Sequence, residues 1–243
     1  MAERPMMAWE LGGTGGVALA RCGFDGSGLS ADGVSFHSGE EPHTAVFRLE
    51  CGPLYRTRRM RIAVLGSGWD REVELTRSDS HGWSSRVRTG RGPLRAAPLP
   101  DLEGAVDCDL WMSPLTNIMP VRRAALMDRD RRPTQSLSHA MAWIDLPGLT
   151  VECSRQDYSL VRPRGDEPAL VRLEDRDSDF RADFSVDEKG FVIHYPEIAT
   201  RVDDPGRVEE LVGEVPGEFG ALLRAKRDEL LAGVPWRRWG DLG

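Results

Sequence analysis

The chain has 243 residues, 40% of them hydrophobic and 29% charged, with a formal net charge of -7. That length can bury a full core in one large domain or two modest ones. The acid excess argues against a nucleic-acid partner, whose phosphates it would repel.

The opening residues, MAERPMMAWELGG, carry Glu3, Arg4 and Glu10 where a signal peptide would be apolar. No run of about eighteen apolar residues occurs anywhere, so no transmembrane segment is expected and a cytoplasmic location is. The Gly-rich stretch from Gly12 to Gly16 lacks a following Lys and a strand-to-helix setting, so it does not read as a phosphate loop.

From Val17 to Val202 a two-residue period dominates. Met60, Ile62 and Val64 alternate with Arg61 and Ala63; Val73 and Leu75 alternate with Glu72, Glu74 and Thr76. Phe180, Ala182, Phe184 and Val186 alternate with Arg181, Asp183 and Ser185. Strands with one face on a core and one in water give this pattern. Turn signals such as Gly66-Ser67-Gly68 and Ser80-His81-Gly82 separate about a dozen such strands.

The segment 106–123 reads as a strand, a polar turn over Ser113–Asn117 and a second strand opened by Pro120. On such a strand Arg122 and Arg123 would face opposite ways, and only the inward one would pair with Asp107 or Asp109 or meet a ligand head group. Residues 134–146 and 149–161 flank Pro147-Gly148 as one long hairpin. Long antiparallel strands coil, and closure hides their edges, so a rolled, barrel-like sheet is predicted: an all-β fold.

After Asp204-Pro205, an N-cap and first-turn signal, the period changes. Val208, Leu211, Val212 and Val215 recur at helical spacing, and Phe219, Leu222, Leu223, Leu230 and Leu231 form a second apolar stripe ending at Gly233. The expected division is a rolled sheet over 1–203 and a helical C-terminal extension over 204–243. The stripe should dock across the outside or open end of the sheet, with Trp236 and Trp239 fastening its end; the alternative is a membrane-surface foot, since Trp236-Arg237-Arg238-Trp239 has the aromatic-plus-basic character of an interfacial anchor.

Chemistry-bearing residues are sparse. Asp107 and Asp109 lie two apart on a strand and share a face, which suits metal binding, acid–base work or, more simply, pairing with nearby arginines. The five histidines show no metal-ligand spacing, the four cysteines are far apart with no Cys-x-x-Cys, and no Gly-x-Ser-x-Gly elbow is present. His139 shares a face with Met141 and Trp143 and reads as a wall residue. No metal or other cofactor is called for, and no nucleophile, base and orienter come together.

Several motifs point to a family. "MSPLTNIMPVRRA", at 112–124, resembles the "SPFTNTLPIRRL"-like signature of a bacterial family labelled putative glycolipid-binding, formerly a domain of unknown function. Trp9 with Gly13 and Gly16 resembles its start, and Phe47–Cys51 with Tyr55–Arg58 resembles "Y-x-x-x-C-D…W-x-T-R". This chain departs there in having Gly52 for the acid and Tyr55 for Trp. Trp83 after Asp79 and Gly82 resembles the "D-x-x-G-x-W" turn with one residue fewer, Gln156-Asp157-Tyr158 fits "Q-x-Y", and Asp187 to Pro196 fits "V-D-x-x-G-x-V-x-x-Y-P". The likeness runs from about Trp9 to Val202 and leaves out the helical tail. It implies one large, spirally rolled antiparallel sheet.

A rolled sheet of this size can enclose a ligand cavity, apolar with a few fixed polar groups. Trp143 and Tyr158 beside Arg58, Asp109, Asn117, Arg122, Arg123 and Gln156 supply that mixture. A cavity lined by Trp143, Tyr158 and the Leu115–Met119 turn is the expectation. Its ligand would be an amphiphilic small molecule, a glycolipid or fatty-acyl compound, bound without chemistry. The alternatives are a hydrolase or isomerase of a small acidic metabolite using Asp107 or Asp109, and a structural or protein-interaction module.

Overall fold

The computed structural model describes residues 4–13, 15–26, 28–92, 99–130 and 136–234. The N-terminal half carries β1 (Met6–Leu11), β2 (Gly16–Asp25), β3 (Gly28–His37), β4 (His43–Cys51), β5 (Thr57–Gly66), β6 (Trp69–Ser78) and β7 (Gly82–Arg91). Then follow β8 (Ala105–Leu110), a short helix α1 (Ile118–Arg123), β9 (Ser136–Ile144), β10 (Val151–Arg162) and β11 (Ala169–Asp175). The chain continues through β12 (Arg181–Val186), β13 (Val192–Tyr195), β14 (Ala199–Arg201), α2 (Pro205–Glu214) and α3 (Gly217–Ala232).

Among the described residues all fourteen strands form one sheet, in the order β7-β6-β5-β4-β3-β2-β1-β14-β13-β12-β11-β10-β9-β8. Every pairing is antiparallel except β8 with β9, which run parallel. β1 and β14 join the two halves, Leu11 lying opposite Ala199.

The register shows how the sheet rolls. One continuous face carries Met60, Trp9, Tyr195, Phe184, Val171, Tyr158 and Met141, and it ends on β8 with Asp107 and Asp109. The opposite face of β8 and β9 carries Cys108, Leu110, Ala142 and Ile144, and these pack in one core with Met60, Ile62, Val73 and Leu75. The β8 end therefore lies inside the roll of the other half, with Cys108 and Leu110 in the apolar core on one face and Asp107 and Asp109 on the other. Side chains satisfy its open edge: Thr57 Oγ1 accepts from Cys108 N at 3.0 Å, and Trp83 Nε1 donates to Ala105 O at 2.9 Å. Inside the roll space is tight. Gly33 lies under the Phe47 ring, where an added Cβ would come within 2.2 Å of ring carbon.

The segment after β8 corrects the sequence reading. Ile118–Arg123 is helical, not a strand, and Pro120 falls in its first turn, where the missing N–H costs nothing. Leu115, Ile118 and Met119 are spaced for a helix, and all three are buried. Arg122 and Arg123 consequently do not alternate across a sheet, and both are engaged by the fold.

The C-terminal helices cover the outer face of β2–β5. Val208, Leu211, Val212, Val215, Leu222, Leu223 and Leu230 share a core with Val17, Leu19, Val34, Phe36, Val46 and Leu65. Asp204 caps α2 by accepting from Gly206 N at 2.9 Å. Leu231, expected in the stripe, is 56% exposed; the buried place is taken by Lys226, paired with Glu229 at 2.8 Å. Trp236 and Trp239 lie outside the described residues.

A buried histidine pair closes the β3–β4 hairpin. His37 and His43 are register partners with stacked rings 4.7 Å apart, and His43 Nδ1 donates to Glu41 O at 2.7 Å. Burial pulls His37 from 6.5 down to about 3 and also lowers His43. Both are neutral in the fold, so acidification protonates them in the unfolded chain first. Their contribution to stability is complete above pH 6.5 and is lost as pH falls toward about 3. The melting temperature should therefore fall between about pH 6.5 and 5, above the range where ordinary carboxylates titrate. An unchanged profile in a His37→Gln/His43→Gln protein would rule out this source.

Candidate functional site

The site lies on the inner face of β8–β10. Parallel pairing sets Asp107 beside Met141 and Asp109 beside Trp143; β10 adds Ser154 opposite Met141 and Gln156 opposite His139. Thr116 and Asn117 arrive from the turn after β8, where Met112, at φ 57, bends the chain back.

Asp107 and Asp109 share this face in very different surroundings. Asp107 has no exposed surface, and Arg123 grips both its carboxylate oxygens, through Nη1 at 2.9 Å and through a close Nη2 contact. His139 Nε2 is 3.3 Å from the same carboxylate, and the His139 ring stacks on Tyr158. Among the described residues Asp109 receives only uncharged donors: Thr116 Oγ1 at 2.8 Å and Gln156 Nε2 at 3.0 Å. Burial pushes its pKa above the usual aspartate range; these two hydrogen bonds partly oppose the rise, and nearby Asp107 adds to it.

The network continues behind Gln156. The Tyr158 hydroxyl lies 3.0 Å from both Asn117 Oδ1 and Gln156 Oε1 and donates to one of them. Tyr158 is completely buried, and burial drives its pKa far upward, so it stays a neutral phenol.

In front of the network is a partly open cavity of about 420 Å³. Asp109, Asn117, Ser154 and Gln156 give it a polar floor, and Met112, Trp143, Leu173, Tyr195 and Ile198 form apolar walls. Its rim carries Glu152, Asp175, Asp177, Ser178 and Phe180. A second depression of about 530 Å³, between β1 and α2, is more open and does not adjoin the network.

The structure thus brings four of the singled-out residues to the cavity: Asp109, Asn117, Trp143 and Gln156. Tyr158 supports the floor from behind rather than lining it. Leu115, Ile118 and Met119 turn into the core instead of the cavity. Arg58 is exposed beside Gly52, away from the site. Arg122 donates to Lys189 O at 2.7 Å and Tyr55 Oη at 2.9 Å, with its guanidinium 4.1 Å above the Phe24 ring. Arg123 is spent on Asp107. The arginines therefore pin α1 rather than face the cavity.

Sequence reasoning missed Ser154 and the rim. Ser154 carried a signal, since it alternates in phase with Gln156 and Tyr158. Phe180 was expected inside a strand; it precedes β12, 43% exposed at the cavity mouth. Among the described residues no three His, Cys, Asp or Glu side chains gather as a metal-ligand set, and no helix is long and apolar enough to cross a membrane.

The sequence profile of the family described as "Putative glycolipid-binding" matches residues 6–201. The chain belongs to this family. A crystal structure of a DUF1089 family protein from Pseudomonas aeruginosa resembles it with a TM-score of 0.56 and 25% identity, over 76% of this chain and 92% of that one. No curated protein matches the chain. The family span runs from β1 to the end of β14, taking in every strand of the roll and leaving out α2 and α3.

Proposed function

We propose that the protein binds a lipid-like or glycolipid-like small molecule, without chemistry, in the cavity over Asp109. The observation that carries this reading is the division of that cavity into a polar floor, tied together by hydrogen bonds among Asp109, Gln156 and Ser154, and apolar, Trp-containing walls. Ligand sites of roughly 300–1,000 Å³ are built this way, and the volume here, about 420 Å³, falls among them. The polar floor suits sugar hydroxyls, while the walls suit hydrocarbon. The family description supports the reading.

Asp107 does not serve the alternative, an enzyme, because Arg123 occupies both its oxygens. Asp109 would be the only base of the pair, since it faces the cavity with a raised pKa. An enzyme loses turnover when Asp109 is replaced by Asn, whereas a binding protein loses only affinity for an alkyl glycoside.

Two further parts belong to the proposal. A cytoplasmic location is supported by four free cysteines, three of them buried. Treating 204–243 as an extension to a 1–203 domain is supported by the family span ending at residue 201. The core that α2 and α3 share with β2–β5 makes that extension a brace for the roll.

Trp143→Ala should weaken binding of octyl glucoside by about tenfold or more, since buried aromatic contacts dominate such sites. Calorimetric titration checks this, with thermal melting confirming the fold. Equal affinity for both proteins would place the ligand elsewhere.

A further inference from the structure

Resting on the cavity reading above, we propose that the head group bound over Asp109 carries a protonated amine, and that the site selects against phosphate and carboxylate heads. Two aspartates, Asp107 and Asp109, share one strand face. Asp107 has a guanidinium for its charge; among the described residues no Arg or Lys lies within ion-pair distance of Asp109. A carboxylate held among protein atoms without a counter-charge is unfavourable. A bound cation would relieve this directly.

The surroundings point the same way. Among the described residues lining the cavity there is no Arg, Lys or His, whereas Asp109, Glu152, Asp175 and Asp177 are all there. Arg155 answers Asp177 from outside the cavity. Asp175 accepts from Asp177 N at 2.9 Å and Ser178 Oγ at 3.0 Å, which share its charge without cancelling it. Field lines from like charges in a partly closed cleft concentrate within it, so an anionic head meets a barrier at the mouth and again at the floor.

The walls add a second, independent feature. Trp111, Trp143, Phe180 and Tyr195 all line the same cavity. Aromatic faces attract ammonium groups, and carboxylates beside aromatic rings are the usual surroundings of bound amines. The Arg-for-head-group pairing expected from the sequence is thereby reversed: the arginines brace α1, and the carboxyl faces the ligand. An amino sugar or a simple long-chain amine would satisfy both floor and walls.

Three probes with one chain length test this: octylammonium, octyl glucoside and octyl phosphate, titrated below their micelle concentrations by calorimetry. Octylammonium should bind at least tenfold tighter than octyl glucoside, and octyl phosphate at least tenfold weaker than the glucoside. Asp109→Asn should lower the ratio of ammonium to glucoside affinity to near one. Should that variant fold poorly, Glu152→Gln, at an exposed rim position, and a salt titration of the wild-type protein read the same charge effect. Glucoside binding tightest, or phosphate matching ammonium, overturns the amine assignment and leaves amphiphile binding standing. If none of the three binds, the amphiphile reading fails and this inference falls with it.

Discussion

Arg123→Ala should destabilise the protein by about 3–5 kcal/mol in denaturant melts, because it strands a fully buried Asp107 carboxylate. The pair joins two elements: Asp107 is on β8, inside the roll, and Arg123 ends the helix that carries Asn117 at its other end. His139 Nε2 lies 3.3 Å from the same carboxylate. Arg122→Ala should cost less, about 1–2 kcal/mol, since its ring contacts with Phe24 and Tyr55 and two hydrogen bonds are nearer the surface. Equal, sub-kilocalorie losses for both variants would mean that neither arginine fastens α1.

The second large effect concerns the helical brace. Leu223 is completely buried between α3 and the outer face of the sheet, so Leu223→Ala should cost about 2–5 kcal/mol. Deleting residues from Pro205 onward would uncover Val17, Leu19, Val34, Phe36, Val46 and Leu65 together. That patch is broad enough to bind ANS and to promote aggregation. We expect the truncated chain to lose cooperative unfolding. A truncated chain that melts as before, yet no longer co-sediments with anionic vesicles, would instead make the tail a membrane foot.

Most of the architecture was legible because alternation is a local signal. Val73 and Leu75 are buried as their spacing demands, and the hairpin around Pro147-Gly148 forms with Val151 opposite Ile144. The Asp204-Pro205 start of α2 was equally local. Helix α1 is hard to read because Pro120 fits the opening of a strand as well as the first turn of a helix, and the apolar spacing 115/118/119 spans little more than one turn. The overlap of β8 with β5 was illegible for another reason. It depends on how far the whole sheet coils, a property that belongs to no single segment.

The site was read in part on the same grounds. Gln156, Asn117 and Trp143 were singled out, and they meet at the cavity. The roles of the charges were not readable. Whether Arg123 serves a ligand or Asp107 depends on a helix the sequence reading had replaced with a strand. Likewise, Asp107 and Asp109 look identical in the chain, and only the fold gives one a guanidinium and the other a cavity.

The central claim is that the cavity over Asp109 holds an amphiphile. Native mass spectrometry, after incubation with a bacterial total-lipid extract, tests it on the wild-type chain and on Ser113→Trp, which adds bulk to the cavity lining. The account predicts a bound species of a few hundred daltons on the wild-type protein and its loss from the variant, with both proteins melting alike. The same adducts on both proteins, or none on either, would contradict it.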